Sequence, residues 1–410
     1  MYVCIYIFIY LCINILNTYI HIYIMNIELP VSLGEALDKL TILDIKLEKI
    51  KDDRKKDVEY EYNLLFDKLK NYIENHNYYY KILKKINVDI WEMQDDFRYN
   101  KGDKVKLCFK IIEDNDSRFR IKKKINDMTN STIKEQKGYN KKKAFVLTHL
   151  GLGDNITAIG MVRYLSTVYD EVLVVCKNKY KENVELFYND DASIKIMSVD
   201  GDNNISPNFG FSKADFDSLT KDYDLYMCGS HNLNGSSWDI KYIPLSFYEQ
   251  VNIDSKIFWN YFHIPNSIES TELYSLLQNM KYVFVHNISS TGTVFTIDII
   301  EEKLKINKNE ILFVNPNVNC YSKEDNYYEM AEKFINYKLA NYIEIIKNAE
   351  YNILCDSSFM CMAINLNDIV TNNNYYYSRS SDINYDELYN SKYEFNNLFN
   401  KKIFKNFKLL

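Results

Sequence analysis

Glycine is scarce in this 410-residue chain, eleven in all, and three of them, Gly151, Gly153 and Gly160, fall within ten residues. They follow a short apolar run, Ala144-Phe145-Val146-Leu147, and lead into a stretch where Ile156, Ile159 and Val162 recur at helical spacing. The pattern specifies strand, tight turn and helix, and Glu171-Val172-Leu173-Val174-Val175-Cys176 supplies the next buried strand. Two parallel strands joined by a helix form a right-handed βαβ unit, so this part of the chain is expected to be α/β. Gly151 and Gly153 let backbone N–H groups approach a ligand without a Cβ in the way, and a helix start there favours an anion. The same residues also make an ordinary turn capped by Asp154 or Asn155. A dinucleotide fingerprint is missing, because Ile156 stands where its third glycine belongs, and no Gly-Lys-Ser/Thr phosphate loop occurs.

The chain before this turn differs in kind. Residues 1–143 carry 27 basic and 22 acidic side chains and the remainder 23 and 34, for a total of −6. That balance speaks against nucleic acid as a partner. From Ser32 the pattern is helical: Leu33, Leu37, Leu40, Leu43, Leu47 and Ile50 recur at spacings of three and four, and Ser32-Leu33-Gly34-Glu35 has the form of a capping box. Helical runs continue through Val58–Tyr72, Ile82–Phe97 and Val105–Phe119. Such a region forms either a bundle or a coiled-coil hairpin that pairs with a second copy, and the stripe on its first two helices predicts self-association. The Lys122-Lys123-Lys124 and Lys141-Lys142-Lys143 runs are expected to be solvated surface.

Residues 1–24 contain no Asp, Glu, Lys or Arg and are long enough to cross a bilayer. No basic flank or cleavage site accompanies them, so a start at Met25 is the preferred expectation, with a membrane anchor second. The eight cysteines show no C-x-x-C spacing, which predicts reduced, mostly buried thiols, a cytoplasmic setting and no zinc site. Asp200-Gly201-Asp202 is expected to be a turn rather than a metal site.

Two resemblances extend this reading. Leu29-Pro30-Val31-Ser32-Leu33-Gly34-Glu35 through Asp38-Lys39-Leu40-Thr41-Ile42-Leu43-Asp44-Ile45-Lys46, with Ile90-Trp91-Glu92 and Asn115-Asp116-x-Arg118, resembles a small bacterial family of unknown function. It implies a helical module and no activity. Leu150-Gly151-Leu152-Gly153-Asp154 and the residues after it resemble the ADP-heptose:lipopolysaccharide heptosyltransferases, glycosyltransferase family nine. That resemblance implies a GT-B fold, with Asp154 as the base that takes a proton from the acceptor hydroxyl. The Ile243–Phe262 segment is similar to the aromatic stretch closing the first lobe in such proteins. Asp356-Ser357-Ser358-Phe359-Met360-Cys361-Met362-Ala363, after the strand-like Tyr351–Cys355, resembles the family's donor-diphosphate loop. Ser358 replaces its Gly and Cys361 its His.

The expected fold is therefore α/β, a GT-B-like pair of Rossmann-type lobes preceded by an all-α, coiled-coil-like module. Its expected parts are a leader (1–25), a helical module (26–130), a linker (131–143), a first lobe (144–265) and a second lobe (280–400). The expected site comprises Asp154 as catalytic base and Gly151, Gly153, Asn155, His286, Ser289, Ser290, Thr291, Asp356, Ser357 and Ser358 around the donor. The expected partners are a nucleotide sugar, a glycan or protein acceptor and a second copy of the chain, with no metal or other cofactor. The alternative is an inactive nucleotide- or glycan-binding protein of the same fold, favoured by the Ser358 and Cys361 departures.

Overall fold

The computed structural model describes residues 29–138, 141–233, 243–290, 292–366, 368–377 and 407–410. The leader, the Met25 start and Thr291 lie outside them. No helix among the described residues is long and apolar enough to cross a membrane.

Four helices come first: α1 (Leu33–Lys49), α2 (Lys55–Asn75), α3 (Asn77–Arg98) and α4 (Lys104–Met128). Ser32 Oγ caps α1 by accepting from Glu35 N–H at 3.2 Å. The reciprocal half of the capping box does not form, because α4 lies alongside and Lys122 takes the Glu35 carboxylate at 2.8 Å. Leu37 and Leu40 are fully buried among Leu83, Ile86 and Ile125. The α1 part of the stripe expected to face a second copy is thus covered by the chain's own α3 and α4, while Tyr72 on α2 stays exposed.

The N-terminal motif has a structural use inside this bundle. Buried Asp38 accepts from Arg118 Nε at 2.7 Å and from Asn87 Nδ2 at 2.8 Å, and Asn87 also donates to Thr41 Oγ1 at 2.8 Å. One carboxylate thereby ties together three helices, and its charge is matched by a guanidinium. A Cβ on Gly34 would lie 2.5 Å from the Lys122 carbonyl oxygen, so only glycine lets α1 meet α4 this closely.

The Lys122–Lys124 run is not solvated as expected. Only Lys123 is exposed. Lys122 pairs with Glu35 and Glu135, each at 2.8 Å, and buried Lys124 lies 2.7 Å from buried Asp191. Asp191 belongs to the next part of the chain, where fully buried Arg163 binds Asp190 at 2.6 Å and the Phe187 carbonyl at 2.7 Å. Tyr79 of α3 donates to Asp190 at 2.8 Å. This ionic cluster anchors the bundle to the α/β region. Neither partner of such a pair can be removed without stranding a buried charge.

The α/β region contains two parallel sheets. In the first, β1 (Lys143–Leu147) is followed by α5 (Leu152–Thr157), α6 (Ile159–Val168), β2 (Glu171–Lys177), β3 (Ile194–Val199) and β4 (Asp224–Met227), with strand order β3-β2-β1-β4. Phe145 stands in register with Leu173 and Leu225. A central strand covered on both faces reads as an unbroken apolar run, which is why Ala144–Leu147 was recognisable. Gly160 on α6 is a close approach: its Cβ would meet the Ile257 and Phe258 carbonyl oxygens at 2.6 and 2.8 Å.

The second sheet has strand order β11-β10-β9-β5-β8, all parallel. Its strands are β5 (Tyr282–His286), β8 (Leu312–Val314), β9 (Tyr351–Cys355), β10 (Asn374–Tyr377) and β11 (Lys408–Leu409), with a small antiparallel pair, β6 (Ile288–Ser289) and β7 (Gly292–Thr293), after β5. Helix α7 (Ser358–Ala363) follows β9. In each sheet the first strand is internal and the winding reverses beside it, between β1 and β4 and between β5 and β9. Crevices open outside the carboxyl ends of strands at such points. One continuous apolar cluster spans both sheets, α5 packs on α7, and Leu339 N–H donates to Asn183 Oδ1 at 2.8 Å across the junction.

Candidate active site

The strand order brings the loop after β1 beside the loop after β4. Gly229, in the latter, has φ +63°, and a Cβ there would come within 2.1 Å of His149 Nε2. Without a side chain, the turn closes over the imidazole. Ser230 N–H donates to His149 Nε2 at 2.9 Å and Ser230 Oγ lies 3.1 Å from the same nitrogen. That nitrogen therefore accepts, and burial lowers the His149 pKa, so the ring is neutral. His231 lies beside it, with ring centroids 6.4 Å apart, and burial holds its pKa at about 4.

Asp202 joins these loops to β2. It receives Lys177 Nζ at 3.0 Å and lies 3.9 Å from His231 Nε2. Burial acts against its ionisation, but the bond and charge of Lys177 keep its pKa below the ordinary value. Asp154 behaves in the opposite way. Its carboxylate folds back over the preceding turn so tightly that a Cβ on Gly151 would meet Oδ2 at 2.5 Å. Burial, with Asp202 adding to it, pushes Asp154 up to about 7, against a hydrogen bond from the Gly151 backbone and the pull of Lys177. Two interacting carboxylates with titrations driven apart are the arrangement that acid–base chemistry uses near neutral pH.

Asn155 is buried and donates to the Gly151 carbonyl at 2.9 Å. It shapes the turn. Gly153 faces the other sheet: its Cβ would touch Cys361 Sγ at 3.7 Å and Ser358 Cα at 3.8 Å. The first turn of α5 thus meets α7, the helix after β9. There Ser357 occupies the N-cap of α7 without capping it through its side chain. Its Oγ instead lies 2.8 Å from His286 Nδ1 and 3.1 Å from the Cys355 carbonyl. Burial lowers the His286 pKa to about 3, so it too is neutral. Asp356 sits half-buried beside Ser357, its N–H bonded to the Tyr377 carbonyl at 3.2 Å.

The structure therefore brings together Gly151, Gly153, Asp154, His286, Asp356, Ser357 and Ser358. Ser289 and Ser290 stand apart on the β6–β7 hairpin, where Ser289 Oγ reaches the Gly292 carbonyl at 3.4 Å and Ser290 is exposed at the turn. Sequence reasoning missed His149, Lys177, Ser230 and His231, and read Asp202 only as a turn. The position of His149 and Lys177 at the ends of β1 and β2 is the signal that would have found them. Among the described residues no group of three or more His, Cys, Asp or Glu is arranged to hold a metal.

Residues 25–146 match the model of a family of unknown function, DUF6165, a span running from the helical bundle into β1. No curated protein matches the chain. Among solved structures it is similar to the glycosyl transferase family 9 protein from Veillonella parvula DSM 2008. The identity is 12% and the TM-score 0.37, over 60% of this chain and 83% of that one.

Proposed function

We propose that this protein is a glycosyltransferase of GT-B type that moves a sugar from a nucleotide-sugar donor to a hydroxyl acceptor. The observation that carries the reading is Asp154, a half-buried carboxyl with its pKa raised to about 7 in the first turn of α5, the helix that packs on α7. At neutral pH about half of it is ionised, so it can accept the acceptor's hydroxyl proton as the glycosidic carbon–oxygen bond forms and the nucleoside diphosphate departs. The Gly151 backbone hydrogen bond holds the Asp154 carboxylate over the turn, where it can meet the acceptor hydroxyl. Neutral His286 and the Ser357 hydroxyl offer hydrogen bonds to the donor from the second sheet, together with Ser358 and Asp356. Lys177 supplies positive charge nearby and keeps Asp202 ionised.

The test is calorimetric titration with UDP-, GDP-, ADP- and CMP-sugars, followed by a transfer or donor-hydrolysis assay on whichever binds. Asp154→Asn is expected to retain donor binding and lose the rate, because a base acts in the transition state and contributes typically 10² to 10⁴-fold. Ser358 and Cys361, standing where the resembled loop has Gly and His, favour a second reading, an inactive nucleotide- or glycan-binding protein of the same fold. Donor binding with neither transfer nor hydrolysis, unchanged in Asp154→Asn, would establish it.

A further inference from the structure

We infer that the outer face of the first half of α4 pairs antiparallel with the same face of a second copy of the chain. Val105, Phe109 and Ile112 are 63%, 66% and 60% exposed, and Cys108 between them is exposed as well. Spacings of three and four put all four on one face of α4. Isolated exposed apolar side chains are ordinary, but a contiguous helical stripe of this kind is not. Tyr99 (70% exposed) and Phe97, under Lys104 Nζ at 5.3 Å, extend the patch at the turn between α3 and α4.

The charges choose the occupant. Lys106 and Glu113 are seven residues apart, so they border the stripe on the same edge. A two-fold axis near Phe109 preserves that edge and reverses the chain direction. It sets Val105 against Ile112 of the second copy and Lys106 against Glu113 of the second copy, twice over by symmetry. A parallel two-fold would carry this edge to the far side of the seam, so Lys106 and Glu113 would find no such partner there. Glu113 is exposed and held within the chain only loosely, 3.9 Å from Lys110, whose amino group sits 2.8 Å from Asp114. The stripe on α1, by contrast, is covered inside the bundle, so this face takes over the role the sequence assigned there.

The full-length chain is expected to show a reversible monomer–dimer equilibrium in sedimentation velocity. A short bis-maleimide should join Cys108 to Cys108 of the second copy, close to the two-fold axis. Phe109→Glu should abolish both with an unchanged circular dichroism spectrum. Lys106→Glu and Glu113→Lys should each weaken association at least tenfold, and the double reversal should restore it, which a merely structural effect would not do. A chain that stays monomeric at its highest soluble concentration overturns the inference. So does dimerisation that is indifferent to Phe109→Glu, or a cross-link from Cys108 to Cys4 or Cys12 of the same chain, which would make the apolar leader the occupant.

Discussion

Asp154→Asn isolates the half-buried carboxyl at the centre of the candidate site. In the folded chain Asp154 titrates near 7 against an ordinary value of 3.8. As pH rises past 3.8 the unfolded chain gives up this proton first while the folded chain keeps it. The folded state therefore loses stability by about 1.4 kcal/mol per pH unit until pH 7, after which the loss is constant. Across that window it reaches about 4 kcal/mol, and solvent access to the half-buried carboxyl brings the working figure to about 2 to 4 kcal/mol. Asn has nearly the same shape and no charge at any pH, so it carries none of this cost. Calorimetric scans of both chains at pH 5, 6, 7 and 8 should show the variant gaining on the wild type by several degrees in melting temperature, with the gap growing to pH 7 and flat beyond. Melting curves that stay parallel from pH 5 to 8 would refute the raised titration, and with it the general-base role.

Glycine and polar positions around the site give further expectations. Gly151→Ala should fold, because only the Asp154 carboxylate must move, and should lose most of the transfer rate; thermal melting beside an assay separates the two effects. Gly160→Ala should be destabilised by about 1 to 3 kcal/mol, since its Cβ meets rigid carbonyl oxygens rather than a movable side chain, and urea titration measures it. Arg118→Met strands the Asp38 carboxylate and should cost about 3 to 5 kcal/mol, read by the same titration. Ser357→Ala should weaken donor binding by about 1 kcal/mol with little change in melting.

The parts of the fold legible in the sequence are those specified locally. Ala144–Leu147 and the helix opening at Gly151 form close to where they were read, with the helix starting at Leu152, because apolar spacing and glycine placement act over a few residues. Ser32 was legible as a cap for the same reason. What escaped is what the strand order brings together. His149 and Ser230 are 81 residues apart and meet only because β1 pairs with β4. Lys124 was read as solvated because its partner, Asp191, lies 67 residues away in another part of the molecule. The α1 stripe was correctly seen as too apolar to stay wet, but whether it is covered by α3 and α4 or by a second copy does not depend on periodicity. In the candidate site, Asp154 and Ser357 were legible through motif resemblance, whereas the opposed titrations of Asp154 and Asp202 follow from burial and from the reach of Lys177.

The pH dependence of the transfer rate with the tightest-binding nucleotide sugar tests the central claim most directly. His231 at about 4 and His286 at about 3 stay neutral throughout the working range, and burial holds His149 below its ordinary value, whereas Asp154 titrates near 7. The rate should rise tenfold per pH unit below about 7, level off above it, and lose that dependence in Asp154→Asn along with most of its magnitude. A rate that is flat from pH 5 to 8, or a wild-type chain that binds no nucleotide sugar at all, would contradict it.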